Sequence, residues 1–437
     1  SGWSNDSATS RFTQEGHQEK YIAFVKGLTT KPVVGVGRYT SPDSMVSAIQ
    51  RGVMDFIGAA RPSIADPFLP TKIKEGRLED IRECIGCNIC VTADMRFVPI
   101  RCTQNPSMGE EWRRGWHPEL ISPKKSDQEV MIVGAGPAGL EAARALGQRG
   151  YEVTLLEARR ELGGRVIQES ALPGLNEWRR VVDWRLTQIR KMKNVAVYPS
   201  SPMTAQEILE TGIQNVIVAT GATWRGDGMG RTLRKPIRGF DLPNVLSPED
   251  LMDGEGGTGK LVVGKLVVGK LGSGKWVIYD DDHFYMGGVL AELLAGQGCT
   301  VALVTPAPLV SYWSRFTLEQ ERIQRKLMKL GVRLYPQSIL SGIEKDCVRL
   351  ANTISGEDIE LPRDGAVLVS DRIPNDSLYQ SLKPALEEGK LQSLRIIGDA
   401  EAPNVIAQAV FSGHLAAREF EEEPVEETPF KVERVKI

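Results

Sequence analysis

At 437 residues, 41% of them hydrophobic, the chain can bury sizeable cores and suits two to four domains. Its 54 basic and 56 acidic residues leave a formal net charge of -2 and no basic stripe beside a nucleic-acid motif, which argues against a nucleic-acid partner. No apolar run reaches the roughly 18 residues of a membrane helix, and the polar start SGWSNDSATSRF lacks an apolar signal-peptide core, so the expectation is a cytoplasmic protein with no membrane partner.

Residues 31–61 read as strand, helix, strand: KPVVGVGR is a short apolar run, SPDSMVSAIQRG has a helical period, and MDFIGAAR is apolar again. Cysteines follow. Of the six in the chain, four fall between Cys84 and Cys102, the wrong distribution for a secreted disulfide framework. Cys84, Cys87 and Cys90 form C-x2-C-x2-C, and Cys102 comes after eleven intervening residues. Thiolates are soft ligands for iron-sulfur centres or zinc. Zinc knuckles usually pair two separated C-x2-C units, so three cysteines in one run with a lone fourth favour a 4Fe–4S cluster, with zinc as the alternative. Cys299 and Cys347 lie in or beside apolar runs and read as structural thiols.

The stretch ECIGCNICVTADMRFVPIRCTQNPSMGEEWRRGWHPE closely resembles the linker of the trimethylamine dehydrogenase, histamine dehydrogenase and N-methylproline demethylase family. Upstream, VVGVGRYTSPD and GAARPSIADPFLP are similar to the end of that family's flavin barrel. The resemblance implies that Cys84, Cys87, Cys90 and Cys102 carry a 4Fe–4S cluster taking electrons singly from FMN. A related family, 2,4-dienoyl-CoA reductase, usually has three residues between its second and third cluster cysteines, against two here, which favours the amine branch. A full (β/α)8 barrel takes about 250 residues, and fewer than 85 precede Cys84, room for the last two or so βα units. By similarity, Gly37, Arg38, Ala60 and Arg61 at the two strand ends would hold the FMN phosphate; alone, an arginine at a strand end reads as a surface charge. The family's catalytic groups belong to the missing barrel half, so no catalytic residue is assigned. Asp94 falls where relatives contact a cationic substrate, and reads equally as a solvated loop aspartate.

Pro118 to Gln128 is polar and basic and reads as a linker. From Glu129, EVMIVGAGPAGLEAARALGQRGYEVTLLEA gives strand, glycine turn, helix and strand within about 30 residues. Gly134, Gly136 and Gly139 spell G-x-G-x-x-G, running through Pro137 and Ala138 into the helix, whose N-terminus offers free N–H groups to a pyrophosphate. Glu157, 18 residues after Gly139 and followed by Ala158, stands where a carboxylate accepts bonds from an adenosine ribose. ELGGR with Gly164 and Arg165, ATGA with Thr220 and Gly221, and IIGDA with Gly398 and Asp399 resemble the recurrent contacts of two-dinucleotide flavoproteins. FAD is favoured there, with ADP as the alternative.

NVIVATGA, WVIYDDD, CTVALVT, AVLVSDRIPN and LRIIGDA are further buried-strand candidates, fitting two interleaved Rossmann-like domains. The second has YDDDHFYMGG in place of a glycine fingerprint, and Asp280, Asp281 and Asp282 would oppose a phosphate, disfavouring NAD(P)H. Phe284 and Tyr285 lie where the family docks its electron carrier; core packing is the commoner role for such a pair. LVVGK repeats in tandem from Leu261 to Lys270, read as a hairpin, an insertion or a sequence error, and EFEEEPVEE reads as a helix end running into a tail. The four histidines are scattered, with no catalytic or metal pattern.

The sequence thus gives an α/β fold: 1–80, the last units of an FMN-binding (β/α)8 barrel; 81–127, the cluster segment; 128–255 with 366–437, a Rossmann-like FAD or ADP domain; and 256–365, a second Rossmann-like domain. The expected function is amine dehydrogenation or oxidative N-demethylation, with electrons leaving FMN through the cluster to an electron-transferring flavoprotein or similar carrier. The alternatives are NADPH-dependent enoate reduction and a non-catalytic electron-transfer subunit. Expected partners are a small amine, the missing barrel portion or a separate barrel subunit, and a second copy in a homodimer.

Overall fold

The computed structural model describes residues 8–96, 98–252 and 274–422, with the backbone alone at 94 and 95. The LVVGK repeat and the end of the acidic stretch lie outside the described residues. The chain divides into two compact units. One comprises Thr9–Ile167, Glu177–Gly221 and the chain from Asn375; the other is built on Gln168–Asn176 and Ala222–Pro374.

The cysteine-bearing unit begins with the expected strand–helix–strand. Val34–Gly35 and Phe56–Ile57 pair in parallel around helix Pro42–Gln50, over a small core of Val33, Tyr39, Met45, Val53, Met54 and Leu69. Its main sheet has five parallel strands in the order Ser393–Ile396, Asn215–Val218, Glu129–Val133, Glu152–Leu156, Val195–Tyr198. By chain position this is 5-4-1-2-3, so the sheet reverses direction beside Glu129–Val133, the crevice where doubly wound folds bind ligands. Helices Pro137–Arg149 and Ile406–Glu419 cover one face, and Val130, Ile132, Leu140, Leu146, Leu155 and Val410 fill the layer between. Strands buried on both faces read as unbroken apolar runs, which is why MIV, TLL and VIV were legible.

The other unit holds a second parallel sheet in the order Arg333–Tyr335, Thr300–Val304, Lys275–Asp280, Gly365–Val369, Val245–Leu246. An antiparallel meander, Ser338–Ile343, Cys347–Asn352 and Asp358–Pro362, packs on it through Leu340, Val348 and Leu350. Both Val245–Leu246 and Gly365–Val369 belong to this sheet, although the sequence reading began the second domain at 256 and ended it at 365. An apolar strand shows its existence in sequence, not which of two similar sheets receives it.

Candidate functional site

The cysteine loop is shaped by two left-handed residues, Gly86 at φ 66° and Asn88 at φ 57°. Asparagine tolerates this region because its side chain can bond locally, and glycine has no Cβ to clash. The turns bring Cys84, Cys87, Cys90 and Cys102 to the wall of one small cavity, lined also by Arg61, Ile64, Ile85, Asn88, Thr103 and Gln104. All four thiols are free. Hydrogen-bonding groups face two of them: Gly86 N–H reaches Cys84 Sγ at 3.4 Å, and Thr103 Oγ1 lies 3.2 Å from Cys87 Sγ.

Burial pushes all four thiols up, Cys90 to about 12 and Cys102 to about 11, while the charges of Arg61 and Arg38 pull Cys84 part of the way back. Buried thiols of this kind bind metal only by releasing protons, so the cage is chemically suited to a metal centre. A single zinc would need four sulfurs about 2.3 Å from one point. Among the described residues, no three of His, Cys, Asp and Glu are grouped to hold one metal ion. Four cysteines around one shared cavity are a donor set suited to a thiolate-ligated metal centre.

The residues expected at the dinucleotide site interlock around the start of helix Pro137–Arg149. Gly134 has φ 106°, and a Cβ on Gly139 would stand 1.9 Å from the Gly134 carbonyl oxygen, so the turn closes only with glycine at both positions. Pro137 takes the first helical position, where its missing N–H costs nothing. Gly164 packs over Gly136, and Gly398 over Ala138. Glu157 accepts from the backbone N–H of Ala135 and of Arg159, both at 2.9 Å, so this carboxylate also braces the glycine loop. Arg165 pairs with Asp399 at 3.0 Å, and Thr220 Oγ1 donates to the Asn375 carbonyl at 2.6 Å beside Gly221, whose φ is 76°. Ala158 follows Glu157 at the strand end.

Comparison with known proteins bears directly on this arrangement. Residues 3–80 match the NADH:flavin oxidoreductase / NADH oxidase family, 132–197 an NAD(P)-binding Rossmann-like domain, and 246–366 the OYE-like second alpha/beta domain. Dimethylamine dehydrogenase of Hyphomicrobium sp. (strain x) is 42% identical over 99% of this chain and 61% of that protein. Histamine dehydrogenase from Rhizobium sp. 4-9 aligns with a TM-score of 0.91 at 45% identity, covering 99% of this chain and 62% of that one. The chain belongs to the trimethylamine and histamine dehydrogenase family of flavoproteins. The 6-hydroxypseudooxynicotine amine oxidase from Pseudomonas geniculata N1 is a further relative, with a TM-score of 0.90 at 46% identity over 96% of this chain and 61% of that one. Against these family members the chain spans about three fifths of their length.

In this family member the two expected phosphate arginines differ in their partners. Arg61, on helix Ala60–Ala65, donates to the Thr9 carbonyl and, at 2.6 Å, to Asn88 Oδ1, and its partners among the described residues are neutral oxygens. Arg38, at φ 61° after Gly37, donates to the Thr13 carbonyl at 2.5 Å and pairs with Glu177 at 2.8 Å, leaving its Nε without a partner among the described residues. Asp94 stands on helix Ile89–Met95, and its side chain lies outside the described residues. In the other unit, Asp280 and Asp281 are fully buried at the end of strand Lys275–Asp280, and a Cβ on Gly287 would come within 2.6 Å of Asp280 Cγ. Carboxylates fill the place where a glycine loop would admit a phosphate. Phe284 and Tyr285 stack edge to face at 5.1 Å, and Tyr285 donates to Glu169 at 2.8 Å.

Sequence reasoning missed Gln104, Glu141, Arg185 and His414, which meet in one buried network behind the cysteine cage. A signal existed for Glu141 alone, which with Arg144 places charge inside the otherwise small and apolar stretch PAGLEAARAL.

Proposed function

We propose that this chain is the electron-handling portion of an amine dehydrogenase or oxidative N-demethylase, and that Cys84, Cys87, Cys90 and Cys102 hold a 4Fe–4S cluster. The observation that carries the reading is the set of four free cysteine thiols around one cavity, three from a single run and the fourth from beyond it in sequence, at Cys102. Bound flavin supplies two-electron acceptance from an amine C–H bond, and a bound cluster supplies one-electron transfer onward to an external carrier such as an electron-transferring flavoprotein.

The residues then have defined work. Arg61, held beside the cage with neutral partners, offers its charge to the FMN phosphate, with Arg38, Gly37 and Ala60 on the same rim. The glycine turn and the start of helix Pro137–Arg149 take the pyrophosphate of FAD or ADP, with Glu157, Arg165 and Asp399 fixing the surrounding loops. Val34 and Phe56, 66% and 57% exposed on an open pair of parallel strands, suit the docking of further barrel strands. Each of Asp280 to Asp282, where ionised about 4 Å from a phosphate, would oppose it by about 1 kcal/mol even in bulk water, which favours electrons leaving by a route other than NAD(P)H.

The test has two stages. Anaerobically purified chain, analysed for iron, labile sulfide and extracted nucleotide, is expected to carry about four iron per chain, an EPR signal on dithionite reduction, and FAD or ADP. The same chain joined to a barrel portion from a relative is then titrated with dimethylamine, histamine and NADPH under flavin absorbance. Bleaching by an amine with growth of the cluster signal is expected. Bleaching by NADPH alone would favour enoate reduction, and zinc in place of iron would overturn the redox reading.

A further inference from the structure

Glu141 and Arg185 are an ion pair with fully buried side chains, 2.8 Å apart, joining helix Pro137–Arg149 to helix Arg180–Arg190. Removing two charges from water commonly costs more than their attraction returns, and a well-packed apolar pair would join two helices as well. The far side of the guanidinium supplies what an apolar pair could not. Arg185 Nη1 donates to the Gln104 side-chain oxygen, and Nη2 to the Gln104 carbonyl, each at 3.1 Å. Both prongs of the fork therefore grip one residue.

That residue ties the cage together. Gln104 is 1% exposed and lines the cysteine cavity. Its Nε2 donates to the carbonyl of Glu83 at 3.1 Å, immediately before Cys84, and its chain neighbour Thr103, directly after Cys102, sets a hydroxyl 3.2 Å from the Cys87 sulfur. The two arms of the cysteine run meet at Gln104.

We propose that Arg185, backed by Glu141, is a positioning residue for the four-cysteine cage, acting through Gln104 to fix the Cys84 and Cys102 arms, and with them the Gly86 N–H at the Cys84 sulfur and the Thr103 hydroxyl at the Cys87 sulfur. The inference rests on the iron-sulfur reading above. Hydrogen bonds to cluster sulfurs are among the determinants of reduction potential. An N–H or O–H directed at sulfur stabilises the more negative, reduced state. Loosening the grip therefore lowers the potential and opens the cage to chelators.

The experiment is an EPR-monitored redox titration of the holoprotein, with cluster loss to an iron chelator timed in parallel. Arg185→Met and Gln104→Leu are expected to lower the midpoint potential and to speed cluster loss by about tenfold or more, the usual scale for groups that support metal ligands. The double variant Glu141→Gln with Arg185→Met removes one charge of each sign and is expected to stay lowered. A double variant restored to the wild-type potential would show that the pair acts by charge and not by holding Gln104, and unchanged potential and chelator rate in Gln104→Leu would equally overturn the proposal. Gln104→Leu leaves the ion pair intact, so it decides the matter if Arg185→Met fails to fold. A wild-type protein without a cluster signal overturns the iron-sulfur reading itself; a wild-type cluster with indifferent variants overturns this inference alone.

Discussion

Arg418 donates its Nε–H to Nε2 of His414 at 2.9 Å, and Nδ1 of the same ring lies 2.9 Å from a Glu141 oxygen. These partners assign the tautomer: Nε2 accepts, so Nδ1 carries the proton and donates to the carboxylate. A second proton on Nε2 would point donor at donor. Burial, with the cations of Arg144 and Arg418, accordingly pushes His414 down to about 4 against the pull of Glu141.

An imidazole that is neutral when folded and ordinary when unfolded makes stability depend on pH. Between about 4 and the usual 6.5 the unfolded chain binds the extra proton, so the contribution is whole above 6.5 and is lost as pH falls toward 4. The shift corresponds to something on the order of 3 kcal/mol. His414→Gln keeps one donor and one acceptor without titrating, and is expected to show a shallower decline in denaturation midpoint between pH 7 and pH 4.5. Identical slopes for variant and wild type would refute this account of the ring.

Asp280 behaves in the opposite sense. Burial first, then the neighbouring Asp282, push its carboxyl up to about 7, with His283 pulling the other way. A raised folded value means that the native state holds a proton the unfolded state would release, so stability is full below about 4 and falls as pH rises through 7. Asp280→Asn removes the titration and is expected to raise the melting temperature at pH 8.5, the stability gained being on the order of 4 kcal/mol at most, while changing little at pH 5. Equal melting temperatures at both pH values would show that the carboxylate is ionised at little cost.

Lys72 and Asp66 form a second buried pair, 2.7 Å apart with the lysine side chain 3% exposed and the aspartate at 0%. Asp66 also accepts from the backbone N–H of Phe68 and of Arg82, the latter two residues before Cys84, so it anchors the entry to the cysteine loop. Lys72→Met would leave a buried carboxylate without its cation, a change that typically costs about 3–5 kcal/mol. Urea unfolding is expected to show that loss, and Asp66→Asn with Lys72→Met should recover part of it. A single variant within about 1 kcal/mol of wild type would show that the backbone N–H groups of Phe68 and Arg82 satisfy the carboxylate without the lysine.

What could be read from sequence was what depends on local order. The strands at Glu129–Val133 and Lys275–Asp280 announce themselves because burial on both faces makes them apolar throughout. Gly134 to Gly139 and the four cysteines announce themselves because a turn and a metal cage demand particular residues at particular spacings. Glu141, Arg185 and His414 are distant in sequence, and each alone resembles an ordinary helix residue, so only the fold shows that they meet. Placement of Gly365–Val369 in the second sheet was hidden for the related reason that two parallel sheets make the same demand on an apolar strand.

Gly136 and Gly139 separate binding from folding. A Cβ on Gly139 would fall 1.9 Å from the Gly134 carbonyl, whereas one on Gly136, at φ -72°, would meet nothing nearer than Gly164 Cα at 4.0 Å. Gly139→Ala must therefore displace the turn or the helix, costing roughly 1–3 kcal/mol of stability as overpacking does. Gly136→Ala is accommodated by the backbone, yet its methyl group stands where a pyrophosphate must approach closely. Gly136→Ala is expected to keep the wild-type melting temperature of the ligand-free protein while weakening FAD and ADP binding by at least about tenfold, the equivalent of about 1.4 kcal/mol. Isothermal titration with each nucleotide and a melting curve without either would check both halves. Undiminished affinity in Gly136→Ala would mean that the dinucleotide does not lie across this turn.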